Sequence, residues 1–427
     1  MRKRATPTFF LCCGMALLVT CSTSAQTYRT ETRDKQIKTL QVYPVNDWSA
    51  SPIINLKGND KLLVSFDELS HDYKRFAYRI IHCDRNWKKS NLNPLEYAEG
   101  FSENDIEAYG TSANTLTNYT HYTFTIPNKD VSLKLSGNYA IEVFDRDDAK
   151  KIRLTACFSV LDNSVSIKGL ITANTNIDTE QNHQQVQFQL SPLGWIIRQP
   201  ESEIEVRVRQ NREIVGEAKN LSPDLINPDK LVYEHIQDLI FEGGNEFRRF
   251  EIATFKHAGI GVNRVEYFAP YYNAEILESR FRNKGYVYDQ DQDGRYLVHT
   301  TDNSSDETNA DYFLVHFSFP MDSPLPDGSL YLYGDLVENR LNEDSRLQYN
   351  DERKAYEKTL FLKQGSYNYK YVFVSSTDVQ PNGRPSVRQT EGSYWQTENE
   401  YQIYIFYKPM GGKYDQLIGF TTLKSSF

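Results

Sequence analysis

Apolar and polar positions alternate with a period of two through many short runs of this chain, the pattern of strands that bury one face and wet the other. Leu62-Leu-Val64-Ser-Phe66, Phe76 to Ile80, His121 to Ile126, Tyr139-Ala-Ile141-Glu-Val143 and Leu154 to Val160 carry it first. Gln185 to Leu190, Glu203 to Arg209 and Arg248 to Ala253 follow, then Phe313 to Phe319, Gly328 to Asp335, Gly365 to Phe373 and Glu400 to Tyr407. Few stretches show helical spacing. No fixed period repeats, which argues against a solenoid or propeller.

Polar stretches punctuate the runs. Asn91 to Tyr119 is long and rich in Asn, Thr and Ser; Leu221 to Asp229 holds Pro223 and Pro228; Thr300 to Thr308 reads as a linker. The expected units are residues 26–162, an N-terminal β-sandwich, 163–308, a middle β domain, and 309–427. Ser136-Gly137-Asn138-Tyr139 is a turn into a strand that begins with Tyr, which resembles the tyrosine corner of immunoglobulin-like sandwiches. The order Gly328-to-Asp335, loop, Gly365-Ser-Tyr367-Asn-Tyr369-Lys-Tyr371-Val-Phe373 resembles early-set immunoglobulin-like modules, glycogen-binding ones included. The expected fold is all-β: three consecutive immunoglobulin-like or early-set β-sandwich domains.

Residues 1–25 are expected to be a signal peptide, outside the fold. Arg2-Lys3-Arg4 precedes an apolar core from Phe9 to Val19, and Thr23-Ser24-Ala25 offers small residues for cleavage before Gln26. Lipidation at Cys21 is the lesser alternative, because Thr20 stands where Gly, Ala or Ser is expected. Removing these residues takes three cations and no acid, leaving 45 Lys and Arg against 57 Asp and Glu, a net charge of −12. Such a balance argues against nucleic acid as the main partner. No later apolar run approaches the length of a membrane-spanning helix, so an exported chain, soluble or attached through a partner, is expected. The 29 Tyr and 23 Phe favour β structure, since rings pack well on a pleated face. Cys83 and Cys157 remain after cleavage; alternation puts both opposite the apolar face of their strands, with a third strand between, so two unpaired thiols are favoured over a disulfide.

Candidate chemistry is sparse. Asp289-Gln-Asp291-Gln-Asp293-Gly294 matches the first half of a calcium loop, but position 12 is Thr300, and Tyr286-Val-Tyr288 and Tyr296-Leu-Val298 read as hairpin strands. An Asp-Gly turn explains the run without a metal. His82 and Cys83 are strand neighbours and cannot converge on one side. No hydrolase elbow, zinc-protease motif or phosphate loop occurs, so neither catalysis nor a cofactor is expected. The rings of Tyr367, Tyr369, Tyr371 and Phe373 read as a sandwich core before a sugar platform; Trp395 is the third part's one tryptophan, and a secreted carbohydrate-binding protein is the alternative reading. An outer-membrane barrel is disfavoured: positions 427, 425, 423, 421 and 419 read Phe, Ser, Leu, Thr and Gly, not a lipid-facing row.

Several longer runs together resemble one family. Arg79-Ile-Ile-His82-Cys83-Asp84-Arg-Asn-Trp87-Lys-Lys-Ser90, Leu95-Glu-Tyr97-Ala-Glu-Gly100-Phe101, Asn118-Tyr-Thr-His121-Tyr122 and Ser136-Gly-Asn-Tyr139 are similar to the N-terminal domain of type IX secretion system plug proteins. Gln210-Asn211, Gly243-Gly-Asn-Glu246-Phe247-Arg248 and the tail from Glu400-Tyr401 to Tyr414-Asp415-Gln-Leu-Ile-Gly419 extend the likeness over nearly the whole chain after residue 25. The resemblance implies a non-catalytic protein that closes the periplasmic end of a very large outer-membrane translocon barrel while no cargo passes. Its partner would be that barrel. Tyr97, Phe101, Tyr109 and Tyr119, in the long polar loop, are the expected partner contacts, Tyr being a frequent anchor; packing of the loop on its own sandwich is the equal alternative.

Overall fold

The computed structural model describes residues 26–227, 229–375 and 385–427; the expected signal peptide and Cys21 lie outside them. Strands dominate, and the two described α-helices, Pro94–Tyr97 and Pro200–Glu203, are single turns. The sheets are open, with free edges, and pack in facing pairs around three apolar cores.

In the first pair, one sheet runs Glu31–Thr32, Asp148–Leu161, Gly137–Asp145, Phe76–Cys83, Asn104–Asp105, with Ile53–Asn55 parallel to the second of these. It faces a sheet of Ile37–Pro44, Leu62–Glu68, Thr120–Ile126 and Ala108–Thr111. Alternate residues meet between them: Val64, Phe66 and Tyr122 from one side, Tyr78, Ile141 and Phe158 from the other. Tyr139 enters the core with its hydroxyl donating to the Leu135 carbonyl at 2.7 Å, four residues upstream. Tyr367 does the same to the Lys363 carbonyl. Both positions therefore carry the tyrosine-corner bond, although only Ser136 to Tyr139 announces it in sequence.

The other two cores do not follow chain order. Val165–Thr172, His183–Pro192, Lys230–Tyr233 and Leu225–Asn227 form one sheet of the second pair. Its opposite sheet joins Ile204–Gln210 to Glu400–Tyr407 and Gln416–Lys424, placing Val206 and Val208 beside Ile405 and Ile403. The third pair sits between these pieces in sequence. Gly365–Ser375 is flanked by Arg248–Glu251, Tyr296–Val298 and Gly328–Tyr333. Across the core lie Val262–Phe268, Tyr271–Ile276, Tyr312–Pro320, Ala355–Lys363 and Gln348–Asn350. Strands from 163–308 and from 309–427 thus share two cores, and the third sandwich is an insertion in the second, unlike the consecutive order read from the sequence. Alternation specifies which face a strand buries, not which strand it pairs with. The expected linker, Thr300 to Thr308, packs within the third unit: the Thr301 amide donates to the Ala253 carbonyl at 2.9 Å.

Polar contacts tie the three sandwiches. Asp67, Lys363, His121 and Tyr312 form a network between first and third: Lys363 Nζ and the Tyr312 hydroxyl each lie 2.7 Å from Asp67 Oδ2, and His121 Nδ1 lies 2.6 Å from Oδ1. Burial alone raises the Asp67 pKa, but the Lys363 ammonium and His121 outweigh it, and the carboxyl titrates below its ordinary value. Arg295 to Glu400 at 2.5 Å and Arg212 to Asp335 at 2.9 Å join second and third. Arg207 to Asn86 at 2.6 Å joins first and second. Where all three meet, a cavity of about 290 Å³ is left, walled by Val42, Trp48 and Trp87, Tyr404, and Tyr296.

Candidate partner-binding surface

The long segment after the Phe76–Cys83 strand is not bare loop. Asn93 caps the Pro94–Tyr97 turn: its side chain accepts from the Leu95 amide and the Glu96 carboxylate accepts from its backbone, both ends of a capping box. Ala98–Gly100 then pairs with Val131–Leu133, and Ala108–Thr111 adds an edge strand beside Thr120–Ile126.

This local structure sorts the four expected contact residues. Tyr97 is buried, donating to the Ile80 carbonyl at 3.0 Å beside the rings of His82 and Tyr139. Tyr119 is also buried; its hydroxyl donates to the Ala310 carbonyl at 2.8 Å, and Lys363 Nζ stands 4.2 Å from its ring centroid. It therefore anchors a contact inside the chain, first sandwich against third. Neither ring is available to another protein as the chain is folded here. Phe101, 71% exposed, and Tyr109, 50% exposed, do face solvent. Tyr109 packs against Tyr73 in a tilted pair, 4.5 Å between centroids, with both rings at the surface.

The Asp289–Gly294 run forms a turn whose carboxylates are already partnered. Asp289 pairs with Arg249 at 3.0 Å and Asp293 with Arg295 at 3.3 Å, while Asp291 accepts the amides of Phe247 and Asp293. Among the described residues, no group of three or more His, Cys, Asp or Glu side chains is placed to hold a metal. The Arg295 amide closes the turn on the Gln292 carbonyl, with Asp293 at φ 50° and Gly294 at φ 82°. A Cβ on Gly294 would lie 2.8 Å from the Phe247 ring, so the position requires glycine. Tyr296–Val298 pairs with Gly365–Tyr367, whereas 286–288 is not a strand, so the turn is not a hairpin.

A feature the sequence did not signal surrounds that turn. Burial, then the repulsion of nearby carboxylates, pushes Asp291 up to about 7 and Asp293 up to about 6. Glu246 is likewise raised to about 6, chiefly by burial; its Oε1 accepts the Tyr286 hydroxyl at 2.6 Å and the Glu398 amide at 3.1 Å. These groups sit where the chain passes between second and third sandwiches.

Cys83 and Cys157 are unpaired and lie on strands separated by Gly137–Asp145. They do occupy the face away from the main core, but Tyr28 and Trp87 cover it, so both thiols are buried. Burial pushes Cys83 up to about 12 and Cys157 well above the ordinary thiol value. His82 is buried between Ser90 Oγ and the rings of Tyr139 and Tyr414, and burial lowers its pKa to about 4, which keeps it neutral. Tyr367, Tyr369, Tyr371 and Phe373 are core residues of the third sandwich, and Trp395 is half-buried with its ring 5.2 Å from Phe427. The aromatic ladder is therefore no sugar platform.

Taken together, the molecule is an all-β assembly of three interlocked sandwiches presenting aromatic side chains from one loop segment. Residues 37–162 match the model of the type 9 secretion system plug protein first domain. The match indicates no enzymatic family. The chain is also similar to a hypothetical protein from Parabacteroides merdae ATCC 43184, whose crystal structure was determined at 2.30 Å. The two are 42% identical with a TM-score of 0.91, over 94% of this chain and 100% of that one. No curated protein matches. Among the described residues, no helix is long and apolar enough to cross a membrane.

Proposed function

We propose that the protein is a non-catalytic periplasmic plug that binds and seals the large outer-membrane barrel of the type IX translocon when no cargo is exported. The family match over residues 37–162 carries the reading. The physical task fits the architecture. A pore wide enough for folded cargo leaks small solutes, and a stopper must cover a wide mouth without deforming. Three sandwiches joined by buried ionic contacts such as Asp67–Lys363 supply breadth and stiffness. In this reading each is an immunoglobulin-like unit: residues 26–162, the insertion from about 243 to 396, and a middle unit built from both flanks of it. The barrel contact includes Phe101 and Tyr109, within an interface well above the roughly 1,600 Å² of standard complexes.

Deleting the protein should leave secretion largely intact while admitting a large antibiotic that the outer membrane excludes. The leak should vanish when the translocon is deleted too. Persistence of the leak in the double deletion, or none in the single deletion, would overturn the assignment.

A further inference from the structure

One end of the second sandwich shows an apolar surface that none of the preceding function uses. The loop after His183–Pro192 is pinned from behind: the Leu193 amide and Trp195 Nε1 both donate to the Ser164 carbonyl, at 2.9 and 2.8 Å, and the Trp195 ring packs on Tyr407. With Trp195 drawn inward, Ile196 is displayed at 71% exposure. Its neighbour across a groove of about 460 Å³ is the exposed Ile226, with Pro192, Ile197, Pro200 and Leu231 as the remaining apolar wall. Buried Glu203 fastens a second loop alongside: its carboxylate accepts the amides of Gln199 at 3.2 Å and Met410 at 3.4 Å, and Met410 is 77% exposed. These side chains are held out by anchored backbone.

The charge at this groove is one-sided. Arg198 and Lys230 line it and, among the described residues lining it, no carboxylate does, in a chain of net charge −9. The surface is aliphatic, without the Trp and Tyr anchors that mark energetic centres of protein interfaces. Aliphatic tips beside cations suit a surface that needs no matching shape and carries negative headgroups.

We infer that this end of the second sandwich docks on an anionic phospholipid surface, with Ile196, Ile226 and Met410 entering the acyl boundary and Arg198 and Lys230 meeting the phosphates. The inference stands on this patch and does not require the plug reading.

Sedimentation of residues 26–427 with vesicles of phosphatidylcholine alone, or with a third phosphatidylglycerol, tests it. Binding should be stronger to the anionic vesicles. Ile196→Glu with Ile226→Glu should lower partitioning onto both about tenfold or more. Arg198→Gln with Lys230→Gln should lower it about thirtyfold on anionic vesicles only. Thermal melts identify any variant that unfolds, and Ile196→Ser then replaces it. No binding to anionic vesicles by the unaltered protein, or binding that a folded Ile196 variant retains in full, would overturn the inference.

Discussion

Asp67 of the first sandwich and Lys363 of the third meet at 2.7 Å with both side chains almost wholly removed from solvent. Their segments lie 296 positions apart, and no covalent link joins these two sandwiches directly. Burying two charges is costly, and the cost is offset here because Asp67 also receives bonds from His121 and Tyr312 while Lys363 donates to the Glu307 carbonyl at 2.7 Å.

Lys363→Met should therefore destabilise the protein by about 3–5 kcal/mol, leaving a buried carboxylate without its cation. Adding Asp67→Asn should restore much of the loss. Urea unfolding of the four members of the cycle measures the coupling, and additive effects would refute it. Because the folded pKa of Asp67 lies below its unfolded 3.8, its contribution is present above about pH 4 and fades only as pH falls further.

Glu246 titrates in the opposite sense. Its folded value of about 6 exceeds the ordinary 4.5, so the folded state takes up a proton first and stability falls as pH rises through that window. Glu246→Gln keeps an oxygen for Tyr286 and the Glu398 amide while removing the charge. The variant should gain about 2 kcal/mol at pH 8 and nothing at pH 4. Melting curves of the two proteins that stay parallel across that range would contradict this account.

Calcium should not stabilise the protein. Asp289, Asp291 and Asp293 are turned to three different partners, so millimolar calcium is expected to leave Tm where EGTA leaves it. A ligand that binds only the folded state must raise Tm, so a clear upward shift would reveal a site that the present arrangement lacks.

Phe101→Ala and Tyr109→Ala are surface changes and should alter stability by about 0.5 kcal/mol or less. If these rings contact the translocon, each should weaken co-purification with it from mild detergent extracts. Tyr97→Ala, which empties a core position, should instead lower Tm by unfolding the first sandwich.

Much of the fold is legible locally. Alternation marked Phe76 to Ile80, Leu154 to Val160, Phe313 to Phe319 and Glu400 to Tyr407 as strands, and the same parity put Cys83 and Cys157 on the face away from the main core. It could not show that Tyr28 and Trp87 cover that face, nor that Ile204–Gln210 pairs with Glu400–Tyr407, because each is a contact across a large sequence distance. Tyr97 and Tyr119 turn inward for a reason equally hidden in the sequence. A Tyr in a polar segment looks like an anchor, yet these two find acceptors in the Ile80 and Ala310 carbonyls.

The insertion of the third sandwich also dictates an order of assembly. The first sandwich can close once residue 161 has emerged, but Val206 waits 199 positions for Ile405 and Val208 waits 195 for Ile403. Until then the half-built middle sheet exposes an apolar face, a slow, non-local closure that invites a holding chaperone. A stop codon shortly before Glu400 would thus unroof the middle of the molecule instead of trimming its end.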